Sequence, residues 1–537
     1  MAGLLALMGA LLVSSSLDKR LAYDENDNLA YGQRLLRRGV SAPTSGQRMP
    51  VLVLNALPCP AEGCRVRVLD ADEARRLLVR APTMVLTLLL GLVVFRWCLE
   101  LAGSPAAWLG LVLCATHPTL LAHGKQVTSD MATALFATLA TWAWWRLVRG
   151  RGRPAALVLL VAASSAAAIL SKYTSVLLFP AFLVLGLLEA GRPFRPARRW
   201  DGALLRRRLG HLVAAAGLAL VLVNAAYLFR GTFTPAGEQE WRSRSLGFLR
   251  HVGVPLLVPD VFARGLDLSA QIQEQPGLGR GYNYVLGELN ADGRWYAFPL
   301  MLLLKTPLGV LALALLGASR WPARAPGSPS DAAVVLVPAL VLLAFYSLVA
   351  KPQLGIRYVL PVVPVLIVAA SVSAARLATA RGRLVVFGLA AWAVVSALSY
   401  HPHPMSYFNE LVGPRKNAWR FLADSNLDWE DRGRDIERFR AENPGLGVAL
   451  NPEEPRAGYL LVSANRLVGL YDPEEYRWLR EGFAPVGHVG YSYVLFHVPK
   501  ERLAAAVAAH PPSAETPGLP RLPDPDRERR RRPGASP

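Results

Sequence analysis

Charge is what this chain has least of. Only 18% of its 537 residues are Asp, Glu, Lys or Arg, against roughly 25% in ordinary soluble domains. With 53% of residues hydrophobic, that shortage argues against a water-soluble fold for most of the chain and for a polytopic membrane protein. Acidic residues are scarcer than basic ones, 39 against 59, for a formal net charge of +20. The arginines gather in short clusters between apolar runs with no aromatic interleaving, so the excess is a topology signal and not a nucleic-acid footprint. Cysteine is scarce too. Cys98 and Cys114 sit inside apolar runs, while Cys59 and Cys64 share a Pro/Gly-rich loop with no His or further Cys to complete a zinc site. A small disulfide is the expected use of that pair if its loop lies outside the cytoplasm. No glycine-rich phosphate loop leads from a strand into a helix, which argues against a nucleotide-sugar or ATP site. His117 and His123 match no strong ligand spacing, so no metal site is assigned.

What the chain does have is apolar length. Runs near the ~20-residue span length lie at about 82–101, 105–122, 130–148, 154–171, 173–190, 209–229, 296–318, 332–350, 356–375 and 384–400. A further segment from Met1 to Leu17 is shorter and lacks the basic flank of a signal peptide. As a short span or a signal-like stretch, it places Asp24 on the far side of the membrane. About eleven transmembrane helices are expected.

Alternating the connections puts four basic groups on one side: Arg146/Arg149/Arg151/Arg153, then Arg192 to Arg208, then Arg320/Arg324, then Arg376/Arg381/Arg383. By the positive-inside rule that side is the cytoplasm. The same alternation sends outward a polar loop at 18–81, the His117 to Asp130 turn, the Ser171-Lys172 corner, a loop at 230–295 and everything after 400. The transmembrane domain is thus 1–400. Residues 401–510 turn soluble in character, with a helical pattern through Asn417 to Arg440 and strand-like alternation at Tyr459 to Ser463 and Tyr491 to Val498. They read as a small extracytoplasmic α+β domain. Residues 511–537 are Pro- and Arg-rich and read as a disordered tail.

The outward face collects the groups with chemistry. Asp24, Glu25 and Asp27 come from the first loop, and Asp130 opens a helix at Thr128-Ser129-Asp130. Taken alone, the three loop acids are a solvated loop and Asp130 is an N-cap. Three cations share the face: Lys172, Lys305 and Arg357, each of which alone could snorkel to the headgroups. Together they describe a site that holds an anion and activates a nucleophile. Group transfer from a lipid phosphate fits: a carboxylate takes the proton of an attacking hydroxyl, while Arg and Lys hold the departing phosphate. His123 reads as a polar helix-end contact, and Asp27 permits a divalent cation without requiring one.

Several stretches resemble one family, the bacterial glycosyltransferases of family 39, related to protein O-mannosyltransferases and to the aminoarabinose transferases of lipid A. Asp24-Glu25 with Ala30-Tyr31-Gly32 is similar to its first-loop signature, and His117-Pro118 through His123 to Asp130 to its second acidic motif. Gly287-Glu288-Leu289, Trp295 to Pro299 and Leu304-Lys305-Thr306-Pro307 resemble its fourth-loop exit. Gly355-Ile356-Arg357-Tyr358, Tyr407-Phe408-Asn409-Glu410-Leu411 and Asp424-Ser425-Asn426-Leu427-Asp428-Trp429 are similar to a bacterial subgroup. The chain departs from it at Glu430-Asp431-Arg432, where the subgroup has Gly-Gln-Asp.

The resemblance implies an all-α polytopic bundle of the GT-C type with a polyprenyl-phosphate-linked sugar as donor and an acceptor hydroxyl on protein, glycan or lipid. Carried over by position, Asp24 is the catalytic base, Asp130 the second acid near the acceptor, and Lys172 and Arg357 donor-phosphate contacts. Glu25 is adjacent to the base, and Glu288 and His123 are loop contacts. The expectation is an inverting transferase in the plasma membrane with its site extracytoplasmic. The rival from another class is a transporter or flippase for a lipid-linked sugar. That reading expects repeat symmetry and charges near the midplane, whereas here the charges lie at helix ends and no matching halves are seen. A non-catalytic scaffold would require the loop acids to be dispensable.

Overall fold

The structure is a computed structural model, which describes residues 1–17, 19–39, 48–59, 72–191, 200–275, 282–318, 331–377, 379–429 and 431–510. The expectations for Cys64, Arg192, Arg195, Arg198, Arg199, Arg320, Arg324 and the 511–537 tail lie outside those residues.

The bundle is built from helices α1 (Ala2–Ser14), α2 (Tyr23–Arg38), α3 (Glu73–Ala102), α4 (Ser104–Thr116), α5 (Pro118–His123), α6 (Asp130–Val148), α7 (Pro154–Ile169), α8 (Leu178–Gly191) and α9 (Gly202–Ala226). It continues with α10 (Asp260–Glu274), α11 (Ala297–Lys305), α12 (Leu308–Ala318), α13 (Asp331–Leu348), α14 (Val362–Ala374) and α15 (Ala380–Leu398). Capping residues set several starts. The side chains of Asp72, Asp201 and Thr379 accept from backbone N–H groups in the first turns of α3, α9 and α15, and Pro opens α4, α5 and α7, where its missing N–H costs nothing.

Every apolar run of the sequence is helical here, but the expected eleven spans are not all of span length. Among the described residues, five helices are long and apolar enough to cross a membrane by length and composition: Glu73–Ala102, Tyr173–Gly191, Gly202–Ala226, Asp331–Leu348 and Ala380–Leu398. The pair α11 and α12, bent by 105°, makes a sixth if counted as one span. Helices α1, α4, α7 and α14 are apolar but shorter. Large apolar side chains stand exposed on α9 and α15, among them Val213, Val221, Leu384 and Phe387, as expected of surfaces solvated by lipid.

The bend between α11 and α12 falls at Thr306-Pro307, because Pro cannot donate to the helical ladder. Asn409 takes up the carbonyls so freed, its amide donating to Leu303 O at 2.6 Å and Thr306 O at 2.9 Å. That gives the Tyr407 to Leu411 motif a structural task.

The 18–81 stretch is less of a loop than its composition suggests. It holds α2 and a short helix at Val53–Ala56, and its amphipathic end from Glu73 is the first two turns of α3. Cys59 is disulfide-bonded, and Cys98 and Cys114 are free and buried.

The end of the bundle that carries basic residues is pinned by buried ion pairs. Arg149 meets Asp331 at 2.7 Å, and Arg208 meets Glu189 at 2.7 Å. Asp130 stands at the opposite end of α6 from Arg146 and Arg149, roughly 28 Å away at 1.5 Å rise per residue.

After α15 come short 3₁₀ turns at Arg415–Arg420 and Asp424–Asn426 and helix α16 (Gly433–Glu442), so the helical pattern expected through 417–440 is broken by the turn that carries Asp424 to Trp429. Strands β1 (Asn283–Val285) and β2 (Glu288–Asn290) form a hairpin. Strands β3 (Ala449–Leu450), β4 (Gly458–Ser463), β5 (Gly487–Val489) and β6 (Tyr493–Val498) form a sheet of order β3-β4-β6-β5, parallel only between β3 and β4. Leu460, Val462, Val494 and Phe496 of that sheet join the same apolar core as the bundle, while Leu461, Val489 and Tyr493 pack with Ile436 of α16 on its other face.

Candidate active site

The first turn of α2 presents Asp24 and Glu25, neighbours in sequence with different fates. Glu25 is fully buried. Its carboxylate accepts from Arg80 Nε at 2.9 Å and Nη2 at 2.6 Å, from Val127 N at 2.9 Å and from Ala22 N at 2.7 Å. Four donors leave it no free lone pair to offer a substrate. It ties the start of α2 to α3 and to the segment before α6. Asp24, less buried, meets Arg357 Nη1 at 2.8 Å.

Arg357 is held in a short 3₁₀ turn, Ile356–Val359, whose entry requires Gly355. Gly355 sits at φ +140°, and a Cβ there would lie 2.2 Å from Ser425 Oγ. Ser425 Oγ donates to Leu354 O, and Asn426 Oδ1 accepts from Ile356 N at 3.1 Å. The Asp424 to Trp429 turn thus clamps the turn that carries Arg357. The indole of Trp429 lies 4.4 Å from the guanidinium carbon, a cation–π distance.

The second pair joins Asp130, at the head of α6, to Lys172 Nζ at 2.8 Å. Lys172 also lies 4.8 Å from the Tyr358 ring. Burial works against the ammonium charge, and the Asp130 carboxylate outweighs it, so the Lys172 pKa is raised. For Arg357, burial is likewise outweighed by Asp24, and its pKa is raised as well. Both cations stay charged.

Beside Lys172 and Tyr358 a largely apolar groove lies between α6, α8, α13 and α14, lined among others by Thr133, Leu178, Pro338 and Leu342. Among the described residues, Lys172 is the one charged residue in its lining.

The other expected residues lie elsewhere. Lys305 is buried and donates to Met405 O at 2.7 Å and Asn426 O at 2.5 Å, so it stitches α11 to the Asp424 turn. Glu288 is exposed on β2 and faces Arg294 at 3.7 Å. Asp27 is exposed and pairs with Arg48 at 2.8 Å. Among the described residues, no group of three or more His, Cys, Asp or Glu could hold a metal ion.

The role of Arg80, the contact of Trp429 with Arg357 and a second charged cluster are what the sequence reading did not find. Arg432, in the stretch where the chain departs from the family pattern, is fully buried among Asp428, Asp431 and Asp435 and donates to Ser406 Oγ at 3.0 Å. Lys19 pairs with Asp435, and Lys125 donates to Ser15 O. Burial pushes the Lys125 ammonium down to about 7 against the opposing pull of Asp431. This cluster fastens the 431–435 stretch to the start of the bundle.

The helical bundle, with two acid–base pairs near one end, has the fold of GT-C proteins, and comparison with known proteins finds these likenesses. The family model of dolichyl-phosphate-mannose-protein mannosyltransferases matches residues 73–227. A solved structure of ArnT from Cupriavidus metallidurans bound to undecaprenyl phosphate is 12% identical, with 92% of this chain and 97% of that chain covered and a TM-score of 0.50. The apo form of the same protein has the same identity and coverage at a TM-score of 0.49. The oligosaccharyltransferase of Archaeoglobus fulgidus is 15% identical over 74% of this chain and 54% of that one, at a TM-score of 0.42. At 12% identity the likeness to the ArnT structure bound to undecaprenyl phosphate is one of fold. No curated protein matches the chain.

Proposed function

We propose that this chain is a glycosyltransferase that moves a sugar from a polyprenyl phosphate to an acceptor hydroxyl at the extracytoplasmic face of the plasma membrane. The observation that carries the reading is the pairing of Asp24 with Arg357 and of Asp130 with Lys172, the latter lysine lining an apolar groove together with Tyr358, the chain neighbour of Arg357. A lipid phosphate has the two properties such a site selects, an anionic head and an apolar tail. The solved ArnT structure with undecaprenyl phosphate supports the same donor class.

In this mechanism the donor phosphate enters between Arg357 and Lys172 and competes with the carboxylates they hold. Asp24 is released from its ion pair and becomes free to accept a proton. The acceptor oxygen attacks the anomeric carbon, its proton passes to Asp24, and the bond from that carbon to the phosphate oxygen breaks. The polyprenyl phosphate leaves as an anion held by Arg357 and Lys172, and a single displacement inverts the anomeric centre. Asp130 lies beside the attacking face, Glu25 is a positioning residue, and residues 401–510 form the extracytoplasmic cover that supplies Trp429.

The test is transfer of radiolabelled sugar from a panel of undecaprenyl-phosphate sugars in membranes that hold the protein. Transfer from at least one donor is the expected result. Absence of transfer from every donor, with the protein inserted and folded, would refute the reading.

A further inference from the structure

His123 ends α5 with only 1% of its surface exposed, and among the described residues neither ring nitrogen has a hydrogen-bond partner. A buried polar group left so is costly unless a ligand or water satisfies it. Gln126 and Thr128, a few residues on, are also buried with unpartnered side chains.

The place of the imidazole is well defined. Its ring stands edge-on to Trp429 at 5.7 Å, and Trp429 in turn covers the Arg357 guanidinium. Ala22, Ala122 and Met405 pack with the indole. Asp130, Arg357 and Lys172 are all near enough to act on the imidazole charge. His123 is thus within electrostatic reach of one member of the first ion pair and both members of the second.

We propose that His123 and Trp429 form the donor-sugar subsite, with the imidazole hydrogen-bonding a ring hydroxyl and the indole bounding the sugar face. This rests on the transferase reading above. Burial pushes the imidazole down to about 3, with Asp130 opposing, so the ring is neutral at physiological pH. A neutral imidazole donates from one nitrogen and accepts at the other, as a hydroxyl does. A phosphate would prefer the cations beside it.

The test uses the purified full-length chain and two probes, bare undecaprenyl phosphate and the same lipid carrying whichever sugar the wild type transfers. The wild type binds the charged lipid more tightly than the bare one. His123→Phe loses about tenfold of that preference, the loss of one hydrogen bond to a buried partner, and keeps its affinity for the bare lipid. His123→Gln retains most of the preference, and in His123→Ala soluble 4-methylimidazole restores it. An unchanged preference in His123→Phe, or equal weakening for both probes, would overturn the subsite while leaving the transferase reading intact. Lack of transfer by the wild type would overturn both.

Discussion

Asp130 and Lys172 show what a single residue can contribute here. Their side chains are 7% and 22% exposed, so removing the lysine strands a nearly buried carboxylate. Lys172→Met should cost about 3–5 kcal/mol of stability, as for other broken buried pairs. The double variant Lys172→Met/Asp130→Leu should recover most of that loss, since no uncompensated charge remains, yet stay inactive in transfer. Thermal unfolding in detergent beside a transfer assay checks both halves, and a double variant that regains activity would remove this pair from the mechanism. Asp24, Asp130, Lys172 and Arg357 were each legible in the sequence as ionisable residues at the ends of apolar runs. Their pairing was not, because Asp24 and Arg357 are separated by 333 positions and composition carries no distance. Glu25 was read with Asp24 because they are adjacent, yet on a helix one step turns a side chain by about 100°, toward Arg80 instead of the site.

Elements came through the sequence where hydrophobic length decides them and were lost where local turns do. The apolar runs became helices because backbone groups in lipid must be satisfied within the segment. The stretch after 401 was harder: its helical pattern is interrupted by the Asp424 to Trp429 turn, whose conformation depends on Leu354, Ile356 and Lys305. The contact at Gly355 belongs to this scale. Gly355→Ala would put a Cβ 2.2 Å from Ser425 Oγ in a backbone region that L residues avoid, forcing the two turns apart. The expected result is at least tenfold lower transfer with helix content retained, read by initial rates and circular dichroism. Wild-type rates in Gly355→Ala would show that the clamp does not set the position of Arg357.

At the scale of the whole molecule, Arg149 and Arg208 stand at one end of α6 and Asp130 of the candidate site at the other. The sequence led us to expect such a polarity from the alternation of charge. It did not show that the terminal sheet shares the core of the bundle or that Lys19 fastens the chain after Trp429 to its start through Asp435. Both depend on contacts between distant segments. The central claim is that Asp24 takes the proton of the acceptor, and the most direct measurement compares sugar transfer from undecaprenyl phosphate by the wild type and by Asp24→Asn at equal levels of inserted protein. Asn keeps the shape and can still meet Arg357 but is a far weaker base. The account predicts a loss of about 10²-fold or more, the usual worth of a general base. Transfer by Asp24→Asn at the wild-type rate would contradict it.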